Sequence, residues 1–345
     1  MSLAAPVTQR DVARACGVHP STICLALGNS PSIPQPTRER VQEMARKLGY
    51  RPNAAARNLA LLRGEKADPV DLPLAWINQE AQRGFWKTHP VARRYFEGAQ
   101  RRARERGYYL EEFWAREPGM RLVRLAQIIR ARGVQGVVFP CFGSFDRELF
   151  QPLWNDFSTM AFNDHRAGDW VDVVCPDHYH NIDLALRRLR HRGFRRIGLL
   201  LSEGYDAATD GLVSCRYLRY QGELSPADRM ALGLLPDDAM DRAARIESWC
   251  REYRPEVVVC GDAGLREFVH AAAPDVAAAQ LQASAEEAAA GVDEQAGDVA
   301  AMAVDCLAEK IRRFERGLGG NTRRYLLKGA WHDGTSLERR LEAVA

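Results

Sequence analysis

The 345-residue sequence contains no apolar run long enough to cross a bilayer, and its first residues, MSLAAPVTQR, lack the apolar core and cleavage pattern of a secretory signal. Both absences point to a cytoplasmic protein with no membrane partner. Eight cysteines (Cys16, Cys24, Cys141, Cys175, Cys215, Cys250, Cys260 and Cys306) include no CxxC pair and mostly sit in apolar stretches, so free buried thiols are expected. The sequence has no GxSxG elbow, no GxxxxGK[ST] loop and no HExxH pair. No reaction class, catalytic residue or cofactor is therefore assigned. His178-x-His180 beside Asp177 comes nearest to a metal pattern. Residues two apart on a helix face different directions, and a pair without a third fixed ligand holds a metal poorly, so surface or cleft-edge histidines are expected and no metal site.

What is present is divided unevenly along the chain. Residues 1–63 hold nine Lys/Arg against three acids, net +6, so the whole-chain charge of +3 leaves −3 for the remainder. A basic head on a mildly acidic body confines phosphate contact to the head. In VTQRDVARACGVHPSTICLALGN, Thr8 can cap a helix with Asp11 returning a capping-box bond, and Gly17 can stop it. A second helix begins at Pro20, where the missing N–H costs nothing. A third runs through PTRERVQEMARKLG to Gly49, and Val12, Ala13, Ile23, Leu27, Val41, Met44, Ala45 and Leu48 supply the core of a three-helix unit. Two short helices joined by about three residues match a helix-turn-helix, whose second helix enters the major groove.

From Leu72 onward short apolar runs alternate with helical stretches. LPLAWIN, GYYLEEFW and GVQGVVFP read as strands separated by helices near 91–106 and 120–131, the signature of a parallel sheet covered by helices. A second set follows with FRRIGLLL, RPEVVVCG and a weaker VAAAQLQA. The helix near 294–316 and the strand-like RRYLLKG come late enough to return to the first sheet. The expected organisation is a head over 1–63 and a body over 64–345, with lobe 1 at about 72–174 plus 305–330 and lobe 2 at about 177–304. Two doubly wound parallel-sheet lobes leave a ligand cleft between them. The connection RPNAAARNLALLRGEKADP begins helix-competent and ends in charge and Pro, as a hinge does.

These residues resemble the LacI/GalR family of bacterial transcription regulators. The resemblance is carried by VTQRDVARACGV-x-x-STI, the TRERV of the third helix and LGYRPNAAAR-x-L together, and less specifically by Val174-x-x-Asp177, LRHRGFRRIGLL and KGAWHDGTSL. The segment GFWKTHPVARRYFEGAQRRARERGYYLEEFW looks like a divergent branch. The resemblance implies a periplasmic-binding-protein-like body and a homodimer on a palindromic double-stranded DNA operator. It also implies a hinge helix over about Asn53 to Leu62 that forms on DNA, with Leu59 wedged into the minor groove and Asn53 as its cap. The DNA-facing residues it implies are Thr8, His19, Pro20, Ser21, Thr22, Leu25, Asn29, Tyr50, Arg51, Asn53, Arg57 and Leu59. Leu25 stands where the common pattern has a base-contacting arginine, so it either meets a thymine methyl or lies beside the backbone. His19 either donates to a phosphate or base edge or serves only at the helix start.

For the body the resemblance implies a sugar or sugar-derivative effector. Gly261-Asp262 falls where many members have Asn-Asp, so the usual Asn contact is missing and Asp262 is either a helix cap or a cleft residue. Asp177 carries the same alternative. The family's cleft arginine corresponds to Arg216 or Arg219, between which spacing does not decide, and Gln280 to Ala290 reads QLQASAEEAAA where a GxDD-like loop is usual. Trp86, Trp114, Trp154, Trp170 and Trp331 are either core or a stacking face. Three readings stand on sequence: an operator-binding repressor sensing a small molecule, an architectural DNA binder that needs no effector, and a solute-binding or enzymatic α/β body with an unrelated helical extension.

Overall fold

The computed structural model describes residues 9–27, 33–48, 72–142, 156–238, 240–284, 289–317 and 321–337. Helices α1 (Gln9–Cys16), α2 (Pro20–Leu27) and α3 (Gln35–Lys47) form the head. Gly17 ends α1 at φ +64°, a conformation that a Cβ would strain, and Pro20 opens α2 at its first position. Val12, Ala13, Cys16, Ile23, Ala26, Val41 and Ala45 make the small core, with Leu27 and Met44 partly buried against it. Leu48 departs from the sequence expectation: it is exposed, because α3 ends at Lys47 and the following turn carries its side chain past the core.

The body contains two six-stranded sheets. The first has the order β11-β5-β4-β3-β1-β2, formed by β1 (Leu72–Asn78), β2 (Tyr108–Trp114), β3 (Gly136–Pro140), β4 (Ser158–Phe162), β5 (Val173–Pro176) and β11 (Arg324–Leu327). All of its pairings are parallel, with Leu74 opposite both Leu110 and Gly136 in register. Strands covered on both faces must be apolar throughout, and β1 alternates accordingly. Ala75 and Ile77 point to one core with Leu125, Ala126 and Ile129 of the helix at Leu122–Ala131. Leu74 and Trp76 point to the other, against Tyr95, Phe96 and Ala99 of the helix at Pro90–Glu105 and Val299, Ala300 and Val304 of the helix at Ala296–Arg312.

The second sheet has the order β12-β10-β9-β8-β6-β7, formed by β6 (Ile197–Ser202), β7 (Gly233–Leu235), β8 (Val257–Cys260), β9 (Ala277–Gln280), β10 (Gly291–Asp293) and β12 (Ala330–His332). Only β12 runs antiparallel, pairing Val292 with Trp331. In chain order, the helices among the described residues of the body are α4 (Phe85–Thr88), α5 (Pro90–Glu105), α6 (Leu122–Ala131), α7 (His178–His191), α8 (Glu203–Ala208), α9 (Leu212–Glu223), α10 (Arg242–Tyr253), α11 (Ala263–Ala272) and α12 (Ala296–Arg312). α7 and α9 cover one face of the second sheet through Ile182, Leu186, Leu189, Val213 and Tyr217. α10 and α11 cover the other through Ile246, Cys250, Leu265 and Val269.

The return to the first sheet begins earlier than residue 305. α12 packs on that sheet from Ala296 itself, since Ala296, Val299, Ala300, Ala303, Val304 and Leu307 form one helical stripe. β12 then crosses once more to the second sheet, beginning at residue 330, where the expected first lobe ends. Between the sheets the chain thus passes at 176–178, at 293–296 and at 327–330. No helix among the described residues is long and apolar enough to cross a membrane.

Candidate functional site

In the head, burial sorts α2 into two faces. Ile23 and Ala26 are fully buried, whereas Leu25 is 44% exposed and His19 is exposed just ahead of the helix. Pro20 and Thr22 are half-buried, and the Thr22 amide donates to the His19 carbonyl at 2.9 Å, which closes the first turn. α3 fixes the pair from behind: Arg40 Nη2 donates to the Cys16 carbonyl at 3.4 Å and Gln42 Nε2 to the Ala26 carbonyl at 3.3 Å. An apolar side chain left standing on the outward face of a short, rigidly held helix suits contact with a thymine methyl. Thr8, Asn29, Tyr50, Arg51, Asn53, Arg57, Leu59 and the whole expected hinge helix lie outside the described residues, as does the Ser21 side chain.

In the body, the carboxyl ends of both sheets' strands converge on a buried polar cluster. Tyr95 of α5 donates through its hydroxyl to Asn163 Oδ1 at 2.8 Å, and Asn163 Nδ2 donates to the Cys141 carbonyl at 2.9 Å. Asn163 follows β4 at φ +79°, a left-handed conformation that Asn tolerates better than most residues, and this turns its amide inward. His165, two residues later, is 1% exposed; burial first, and then the neighbouring His178, holds its pKa down at about 4. The two imidazoles are 5.2 Å apart between ring centres.

His178 opens α7 and is 2% exposed, with Nδ1 3.1 Å from Glu294 Oε1. That contact is close but out of hydrogen-bonding line, and Nδ1 has no directed partner. Glu294, immediately after β10, is 3% exposed and accepts from the Tyr205 hydroxyl at 3.2 Å and from Gln282 Nε2 at 3.4 Å. Burial, and next the Glu294 carboxylate, raise the Tyr95 and Tyr205 phenols well above their ordinary range. Arg94 of α5 reaches across to Asp293 and to the Ala283 carbonyl, both at 3.4 Å. Beside this cluster a cavity of about 10 Å³ is lined by Trp76, Asn78, Gln79, Glu80, Phe85, Trp86, Pro140 and Phe142. Trp86 is stacked on Phe96 at 3.7 Å and hydrogen-bonded to Glu112 Oε2, so part of its surface is core.

The residues singled out from sequence are distributed differently. Asp177 caps α7, accepting from the His180 amide at 3.0 Å, and Asp262 caps α11, accepting from the Leu265 amide at 2.9 Å. Arg216 is held between α7 and α9 by Asp183, with Nη2 2.7 Å from its carboxylate and the guanidinium beside the Tyr179 ring. Arg219 is 72% exposed and pairs with Glu223, four residues on. Neither arginine contacts the cleft cluster, because α9 presents Val213, Tyr217 and Tyr220 inward and turns both guanidinium groups away. At Gly261 a side chain would begin 3.3 Å from the Tyr205 ring, so Tyr205 occupies the space that an Asn there would use.

His178 is a buried cleft residue and not a surface one, and among the described residues no group of three or more His, Cys, Asp or Glu could hold a metal. Tyr95, Asn163, His165, Tyr205, Gln282 and Glu294 were missed. The available signal was positional: each of Asn163, Gln282 and Glu294 follows a short apolar strand within two residues, where parallel α/β sheets place ligand contacts.

Residues 8–53 match the family described as bacterial regulatory proteins, lacI family. Among curated relatives, the HTH-type transcriptional regulator MalR of Streptococcus pneumoniae is 28% identical over 134 residues, 39% of this chain and 38% of that protein. The ribose operon repressor of Escherichia coli is 25% identical over 267 residues, 66% of this chain and 76% of that protein. The match thus spans well under half the length of the MalR regulators. Among solved structures, a lac repressor dimer bound to operator and an anti-inducer has a TM-score of 0.61 at 15% identity, covering 96% of this chain and all of that one. A complex of the transcriptional regulator CelR with cellobiose has a TM-score of 0.57 at 18% identity, covering 96% of this chain and 99% of that one. At these identities the structural likeness establishes the fold, a head of helices followed by a two-lobed α/β body.

Proposed function

We propose, for a chain that belongs to the LacI family of bacterial regulatory proteins, that it is a cytoplasmic, non-enzymatic transcriptional repressor that binds a palindromic operator as a homodimer and is modulated through its interlobe cleft. The observation that carries this reading is the family head over 8–53 lying within a basic segment, net +6 over residues 1–63, ahead of a body of net −3. The head and hinge over 1–63 meet DNA and the body over 64–345 dimerises and takes the effector. A head of three short helices offers little area, and two heads related by a two-fold axis double both the base contacts and the phosphate neutralisation. The names of related proteins, a ribose operon repressor and a regulator complexed with cellobiose, support a carbohydrate-like effector.

The DNA-facing set comprises His19, Pro20, Thr22 and Leu25 of the described head together with Thr8, Ser21, Asn29, Tyr50, Arg51, Asn53, Arg57 and Leu59. For the effector, Asp177, Arg216, Arg219 and Asp262 give way to the cluster around Glu294, since the first and last of them cap helices and the arginines face α7 and solvent. An electrophoretic shift with genomic fragments at several salt concentrations tests the regulatory reading. A discrete complex that weakens steeply with salt is expected; a smear insensitive to fragment identity would reject specific recognition.

A further inference from the structure

We propose that the interlobe cleft takes a small hydroxylated ligand bearing a protonated amine, and that Glu294 receives the amine. This rests on the reading of the body as an effector-binding module. Glu294 is a buried carboxylate with which no lysine or arginine pairs among the described residues. Its contacts are the Tyr205 hydroxyl, the Gln282 amide and the unaligned His178 Nδ1. A carboxylate withdrawn from water without a fixed cation is costly, and the arrangement is relieved when a ligand supplies the cation.

The surrounding arginines make the same distinction from the other side. Arg94 is matched by Asp293, Arg166 by the fully buried Asp164, and Arg324 by Asp169 and Asp210. Arg116 donates to the Gln79 carbonyl and lies near Glu80. An acidic ligand would thus meet Glu294 with these four guanidinium groups already engaged. An ammonium has three donors and no acceptor. It can displace the two neutral donors from Glu294, using one oxygen of that carboxylate and the free His178 Nδ1, which sit 3.1 Å apart. The ligand's hydroxyls then find Gln282 and Asn163, and its apolar face finds the aromatic wall: Phe142 lies 5.5 Å from the Tyr95 ring and 6.0 Å from Phe85.

The test is thermal-shift and calorimetric titration of the full chain with glucosamine, galactosamine and mannosamine, with glucose and galactose, and with glucuronate and glucose 6-phosphate. Binding confined to amine-bearing sugars is expected, at least about tenfold weaker in Glu294→Gln. Tyr205→Phe removes a competing donor from Glu294 and should bind the same amine at least as tightly, which keeps the test decisive if Glu294→Gln does not melt cooperatively. Binding of the acidic sugars, equal binding of neutral and amine sugars, no response to any amine, or weaker amine binding by Tyr205→Phe would each overturn the assignment. The operator shift assay on the same preparation separates this outcome from failure of the regulatory reading, which operator binding alone decides.

Discussion

Gly98→Ala adds a single methyl group where α5 crosses α12. A Cβ built at Gly98 lies 2.2 Å from the Gly297 carbonyl oxygen, 2.5 Å from its Cα and 2.7 Å from its carbonyl carbon. All three are main-chain atoms of a helix, so no side chain can swing aside. Ordinary contact at roughly 3.5 Å requires the helices to part by about 1 Å, and a gap of that size forfeits a quarter to a half of each dispersion contact it opens. The seam that opens holds Tyr95, Phe96, Ala99 and Ala103 against Ala296, Val299, Ala300 and Val304. Overpacking of this kind costs about 3 kcal/mol, from which the better helix propensity of alanine recovers about 1, leaving a net loss of about 2 kcal/mol.

Gly222→Ala is the matched control. Gly222 also lies in a helix, α9, but a Cβ there meets nothing within 4 Å and its backbone needs no left-handed conformation. It should gain about 0.5 kcal/mol from propensity alone. Urea unfolding followed by tryptophan fluorescence, to which Trp76, 1% exposed in the affected core, contributes, reads both variants. Equal stability of Gly98→Ala and the parent, or shifts of the same sign in the two variants, would refute the close-crossing argument.

His165 gives a pH signature. Its folded pKa, about 4, lies below the unfolded value of 6.5, so between those values the unfolded chain binds the extra proton and stability is lost as pH falls from 6.5 toward 4, by roughly 3 kcal/mol in all. Melting temperature measured across this window should fall less steeply in His165→Gln than in the parent; parallel profiles would remove His165 as the source. Asp177→Ala and Asp262→Ala should each lower stability by about 1 kcal/mol through loss of a helix cap, measured by denaturant midpoint, while a stable variant with altered ligand response would return that residue to the cleft set. Arg57→Ala should reduce both operator affinity and the salt slope, the latter by roughly one unit, whereas Leu59→Ala should reduce DNA bending with the slope unchanged. Equal bend angles for Leu59→Ala and the parent in a circular-permutation assay would defeat the wedge assignment.

The sequence by itself determined what is local. Gly17, Pro20 and the helical spacing of the pairs Val12 and Cys16, Ile23 and Leu27, and Val41 and Ala45 specify the head, because helix ends and helix faces are set by neighbours within a few positions. The apolar runs of β1, β3, β6 and β8 likewise announce strands buried on both faces. The fold class and the basic head followed from these features, and Asp177 and Asp262 were legible as caps because a cap is read from its own helix.

Tertiary structure decided what depends on distant segments meeting. Short, partly polar β4 and three-residue β10 and β12 have no pattern of their own and exist through their neighbours' hydrogen bonds. Which side of α9 faces the sheet turned Arg216 toward Asp183 and Arg219 toward Glu223, a choice that sequence spacing left open. The cleft is the extreme case. Tyr95, His165, His178, Tyr205, Gln282 and Glu294 come from α5, α7, α8 and the loops after β4, β9 and β10, spread over 200 positions of chain. Their chemistry arises from burial and mutual approach, which push the His165 pKa down and leave Glu294 without a lysine or arginine partner among the described residues, and neither condition exists until both sheets have formed and the chain has crossed between them.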